Sequence, residues 1–129
     1  MIIEYYYALP SPFAYLGSSK FQSIAKKYNV EIIEKPCDLV GGIFVKTGGI
    51  PVPQRSPQRQ KYRLDEIKRW SEFLNIKTNI KPKFFPPEDP HLPAKFTIAA
   101  NLLGTKVVFG HELLKQLWSE EKNISDEKN

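Results

Sequence analysis

Residues 2–36 leave few architectures open. Ile2–Leu9 (IIEYYYAL) is a nearly unbroken β-prone run, the pattern of a strand buried on both faces. Pro10 lacks an amide hydrogen and ends it. Ser11-Pro12 then forms a helix start, with serine at the N-cap and proline at the first helical position. Phe13, Leu16, Phe21, Ile24 and Tyr28 recur at roughly helical spacing and give one apolar face. Asn29 is a stop, and Val30–Pro36 (VEIIEKP) reads as a second strand. Strand, helix and strand with short joins predict a right-handed βαβ unit with parallel strands.

Beyond it the periodicity becomes helical. Gly41, Gly42, Gly48 and Gly49, then Pro51 and Pro53, mark a long punctuated connection. Ser56-Pro57 repeats the helix-start pattern, and Leu64, Ile67, Trp70 and Leu74 follow at helical spacing. Pro82, Pro86, Pro87 and Pro90 make a loop leading to Pro93 and a small-residue helix, Ala94–Leu103, ended by Gly104. A last helix is predicted over roughly Val107–Glu121, with Gly110 as a weak spot worth about 1 kcal/mol. The expected fold class is α/β: a βαβ half over residues 1–42, then an all-helical segment over 43–129. Two parallel strands leave faces and edges to cover, so either the helical segment shields them or further strands complete the sheet.

A length of 129 residues suits one domain, and 41% hydrophobic and 26% charged residues describe a globular chain. One cysteine, Cys37, excludes an internal disulfide and a Cys-x-x-Cys site. No apolar run approaches the roughly 20 residues of a membrane span. Met1–Leu9 has no basic leader and reads as a strand, so a cytoplasmic location is expected. The net charge of +5 comes from residues 54–83, where nine basic residues face three acidic ones. That bias suits an anionic ligand, with nucleic acid as an alternative and a solvated helix face as the plain one.

Ser11-Pro12 is where chemistry is expected. A helix N-terminus presents unpaired N–H groups and about half a positive charge, and it favours an anion such as a thiolate. Lowering a thiol pKa from about 8.5 by about two units requires about 2.7 kcal/mol. A hydrogen bond to the charged sulfur supplies about 1.5–3 kcal/mol and the helix terminus about 0.3–1 more. A serine hydroxyl can accept a backbone N–H as a cap while its hydrogen points at the sulfur. Capping alone is the competing reading, and Ser56-Pro57 is a copy with no chemistry assigned. The thioredoxin superfamily carries its redox Cys-x-x-Cys at this junction; here the residues are Ser11-Pro12-Phe13-Ala14, which cannot perform dithiol exchange.

The run YYYALPSPFAYL (Tyr5–Leu16) resembles the opening of 2-hydroxychromene-2-carboxylate isomerases and kappa-class glutathione transferases, in the DsbA-like branch of that superfamily. The likeness continues in order through Lys35–Gly49, Lys61–Trp70, Lys83–Pro86, Leu92–Ala100 and Leu113–Asp126. It implies a thioredoxin-like fold, a glutathione cofactor, an aromatic carboxylate substrate and a homodimer. It implies that Ser11 holds the glutathione thiolate, which adds to an unsaturated carbon and leaves again. Pro12 and Phe13 belong to the same motif. Gly49 stands where family members carry an asparagine, and Glu66 where aspartate is common. Relatives continue with two strands, a cis-proline loop and a helix. The sequence to Asn129 carries no such segment, so a C-terminally truncated chain lacking the usual ββα is expected.

Tyr15, one helical turn beyond Ser11, either lines the same pocket or packs. Among Arg55, Arg59, Lys61 and Arg69, Lys61 is the first candidate to meet a glutathione or substrate carboxylate, against plain solvation. Cys37 reads as a small buried hydrophobe, and Trp70 and Trp118 as core. His91 and His111 lack partners at ligand spacing, so no metal is expected. The glycines around Lys46-Thr47 lack the order of a phosphate loop.

Overall fold

The computed structural model describes residues 1–105 and 108–128. Strand β1 (Ile2–Tyr7), helix α1 (Pro12–Lys27) and strand β2 (Glu31–Pro36) form the expected βαβ unit. The strands pair in parallel, with Ile2 opposite Glu31 and Tyr7 opposite Pro36. Ser11 caps α1 with its side-chain oxygen, and Asn29 takes the left-handed conformation just past the helix. Each is a local signal, decided within a few residues of sequence.

The first strand departs from the expectation of burial on both faces. Its residues alternate: Tyr5 and Tyr7 turn inward, whereas Ile2, Glu4 and Tyr6 are exposed. Tyr6 retains 62% of its accessible surface. The inward face meets α1 and the last helix; Tyr5 stacks on Tyr7 and tilts against Phe21 of α1. The unbroken apolar run misled because a tyrosine keeps a polar tip and is at home on either side of a sheet.

After β2 the chain makes a π-helical turn at Leu39–Phe44 that runs into a short helix, α2 (Val45–Thr47). Asp38 starts the turn, its carboxylate accepting the Gly41 N–H at 2.8 Å. Helix α3 (Pro57–Leu74) begins at the second Ser-Pro, where Ser56 Oγ accepts the Arg59 N–H. Helix α4 (His91–Leu102) starts three residues earlier than expected and includes Pro93 in its first turn, where a missing N–H costs nothing. It lies beside β2, and Asn101 Nδ2 donates to the Glu34 carbonyl at 2.7 Å. Helix α5 (Phe109–Ser119) is shorter than expected; Val107, its expected start, lies outside the described residues.

The core joins both parts of the sequence. Tyr7, Leu9, Tyr15 and Leu16 pack with Leu113, Leu114, Leu117, Trp118 and Ile124. A leucine buried as completely as Leu117 contributes about 1.5–3 kcal/mol. Trp118 is core, as expected, but Trp70 is not: it sits on the outer side of α3, edge-on to Phe73 and under Arg69. Gly110 is no weak spot. A Cβ there would overlap the Tyr7 hydroxyl and crowd Glu34, so the absent side chain lets α5 approach the sheet.

Candidate functional site

A cleft of about 420 Å³ opens at the junction of β1 and α1. One wall is the loop Ala8–Phe13, with Ser11, Pro12 and Phe13 all in the lining. The segment after β2 supplies Cys37, Asp38, Leu39, Val40 and Phe44. The far wall comes from Phe85, Pro86, Pro87 and Pro90, from His91 and Ala94 of α4, and from Arg63 of α3. Proline, aliphatic and aromatic groups dominate, as suits a pocket that takes an apolar molecule and orients it with a few polar groups. The peptide bond between Phe85 and Pro86 is cis.

Ser11 sits at the edge of this cleft and remains partly exposed. Its Oγ accepts the Ala14 N–H at 3.3 Å, a long contact. The hydroxyl hydrogen is thereby free to point elsewhere. The helix it caps is sixteen residues long and has no acidic residue in its first turn to cancel the terminal positive potential. A hydroxyl suited to hold a thiolate thus lines the cleft. A sulfur anion fits this donor set: one hydroxyl donor, a helix terminus behind it and apolar walls. Ser56 caps α3 with the same local geometry but is not in the lining.

Three other candidates for the site, Tyr15, Lys61 and Gly49, lie outside the lining. Tyr15 is in the core: its hydroxyl donates to the Lys77 carbonyl at 2.9 Å and its ring stacks near His111. Lys61 projects into solvent, where its Nζ pairs with Asp65 at 2.6 Å. Gly49 is not in the lining, but a Cβ there would run into the ring of Phe44, which is. The asparagine of the resembled families does not fit here unless Phe44 moves. Glu66 holds Arg69 through two hydrogen bonds, which keeps its carboxyl below the usual range.

Several lining residues were not singled out by sequence. Arg63 was counted only as part of a basic stretch, yet it is half-buried in the cleft wall. Its guanidinium lies over the rings of Phe85, at 5.2 Å, and Trp118, at 6.0 Å. Burial pulls its pKa below the ordinary arginine value, and the charge of Arg55 pulls in the same direction. Cys37, expected to be buried, is half-exposed in the lining. Its Sγ donates to the Lys35 carbonyl at 3.4 Å. His91 also faces the cleft, a position its proline-rich neighbourhood did not signal. Among the described residues no group of three His, Cys, Asp or Glu side chains is set to hold a metal. None of the described helices is long and apolar enough to cross a membrane.

Comparison with known proteins agrees with this fold. The pattern of the DSBA-like thioredoxin domain matches residues 2–129. Glutathione S-transferase kappa 1 of Rattus norvegicus is 24% identical over 137 aligned positions, which cover 99% of this chain and 58% of the rat protein. The solved structure of a 2-hydroxychromene-2-carboxylate isomerase superposes with a TM-score of 0.70 at 19% identity. That superposition covers 99% of this chain and 61% of the isomerase. The chain therefore spans about three fifths of the length of each of these two relatives.

Proposed function

Because this chain belongs to the DSBA-like thioredoxin domain family, we propose that it works as a glutathione-dependent isomerase of the 2-hydroxychromene-2-carboxylate type. The observation that carries this reading is the place of Ser11, a hydroxyl at a helix N-terminus on the wall of an apolar cleft. Glutathione supplies, when bound, a sulfur nucleophile that adds reversibly to an unsaturated carbon and is regenerated. Ser11 donates its hydroxyl hydrogen to the sulfur and so holds it deprotonated. The N-terminus of α1 adds its positive potential. Phe13, Phe44 and Phe85 exclude water and present flat surfaces to an aromatic substrate. No cysteine stands in the Ser11–Ala14 tetrad, so the nucleophile is borrowed rather than built in.

A kappa-like glutathione transferase uses the same thiolate and differs in the fate of the adduct: the transferase releases it, the isomerase expels the sulfur again. A nucleic-acid partner has less support. Along α3 the cations Lys61, Lys68 and Arg69 are engaged by Asp65, Glu72 and Glu66. These pairs compete with phosphates for the same charges.

Mixing reduced glutathione with the protein at neutral pH and reading the ultraviolet absorbance of the thiolate tests the proposal. The signal is expected with the wild type and with Ser56→Ala, and it is expected to vanish with Ser11→Ala. No signal from the wild type, or an unchanged one in Ser11→Ala, contradicts it.

A further inference from the structure

We propose that Arg63 is a carboxylate anchor, selecting planar aromatic ligands with one anionic group over uncharged ligands of the same shape. Three observations carry this. Arg63 lines the cleft and is half-buried, so its charge has lost part of its hydration. Among the described residues no carboxylate pairs with it, whereas Lys61, Lys68 and Arg69 on the same helix each have an acidic partner. The rings of Phe85 and Trp118 lie against the guanidinium and hold it in place.

A half-desolvated cation without an anion is costly to keep, and rings on its face compensate only in part. Ring contacts do not consume the N–H groups of a guanidinium, which can engage a carboxylate through two hydrogen bonds. Asp38, the acidic residue in the lining, accepts the Gly41 N–H and forms no ion pair with Arg63 among the described residues. Arg55 lines the same cleft and acts on Arg63 by repulsion, so the wall is biased toward an anion at two positions. The rest of the lining, including Phe13, Phe44 and Pro86, suits an aromatic body. The inference rests on the reading of this cleft as the substrate site, but it does not require a thiolate at Ser11.

Glutathione also carries carboxylates, so the source of the anion has to be separated by experiment. The chain of residues 1–129 is titrated calorimetrically with cinnamate and with cinnamyl alcohol, in the absence of glutathione. The wild type is expected to bind cinnamate at least about tenfold more tightly than the alcohol, the scale of a charge-assisted pair. In Arg63→Gln the preference is expected to fall to within about twofold while affinity for the alcohol is retained, which reports an intact cleft. In Arg63→Lys, which keeps the charge but loses the planar fork, it is expected to be intermediate. Equal affinities in the wild type, no binding of cinnamate, or a preference surviving both substitutions would overturn the proposal. So would a loss of glutathione affinity in Arg63→Gln with cinnamate binding untouched, since the arginine would then serve the tripeptide. Failure of the Ser11 reading shows separately, as missing thiolate absorbance in a measurement that uses no aromatic ligand.

Discussion

The hydroxyl of Tyr7 donates a 2.6 Å hydrogen bond to the buried carboxylate of Glu34, tying the end of β1 to β2. The N–H of Gly110, in the first turn of α5, donates to both oxygens of the same carboxylate at 3.1 Å. One acidic side chain thus joins two strands to the last helix. Burial, and then the bond to Glu34, push the Tyr7 hydroxyl far above the usual tyrosine range, so it stays a donor at any ordinary pH.

Gly110→Ala is therefore expected to destabilise the fold by about 1–3 kcal/mol in urea unfolding, since the new methyl displaces Tyr7 and Glu34. Gly17→Ala is the matched comparison. It lies in the middle of α1 with nothing near its would-be Cβ, and a stabilisation of about 0.5–1 kcal/mol is expected there. Equal effects at the two glycines would contradict the packing of α5 on the sheet.

Tyr7→Phe removes the donor and leaves Glu34 buried with less to satisfy it. A loss of about 1–3 kcal/mol is expected in the same assay. Adding Glu34→Gln to Tyr7→Phe is expected to cost less than the sum of the two single changes, because both act on one network.

Stability is expected to fall on mild acidification. His111 Nδ1 lies 2.5 Å from Ser18 Oγ and its ring stacks near Tyr15. Burial lowers its pKa below 6.5, outweighing Glu112 and Glu34, which raise it, while Lys115 adds to the lowering. The unfolded chain then binds more protons than the folded one as pH drops through this range. The contribution is complete above about pH 6.5 and is lost as pH falls through the lower folded value. Urea midpoints for the wild type and His111→Gln, compared at about pH 7 and about pH 5, check this. The wild type should lose more.

Lys61→Ala is expected to change stability by less than about 1 kcal/mol, because its pair with Asp65 is exposed. It is also expected to leave glutathione binding unaltered, read by the same calorimetry. A marked loss of glutathione affinity would restore Lys61 to the site.

The contrast between Lys61 and Arg63 shows what sequence conveys here. The βαβ unit and the start of α3 were legible, because caps, prolines and apolar periodicity act over a few residues. The cap at Ser11 was legible for the same reason, since it is set by the helix it begins. Which residue of α3 faces the cleft depends instead on how that helix rolls against Phe85 and Trp118. Two residues along a helix turn a side chain by about 200°, enough to send one cation to solvent and another into the wall. Tyr15 left two readings open at the sequence level; the Lys77 carbonyl sixty-two positions away makes it a core residue. Gly49 acts through Phe44, a contact no motif announces.

The central claim is that Ser11 holds a glutathione sulfur as its anion. Titrating the thiolate absorbance of the bound tripeptide against pH measures the relevant quantity directly. The wild type and Ser56→Ala are expected to give an apparent thiol pKa about two units below the ordinary value of about 8.5, and Ser11→Ala a value close to 8.5. A bound thiol that titrates near 8.5 in the wild type, or a lowered value that persists in Ser11→Ala, would contradict the account.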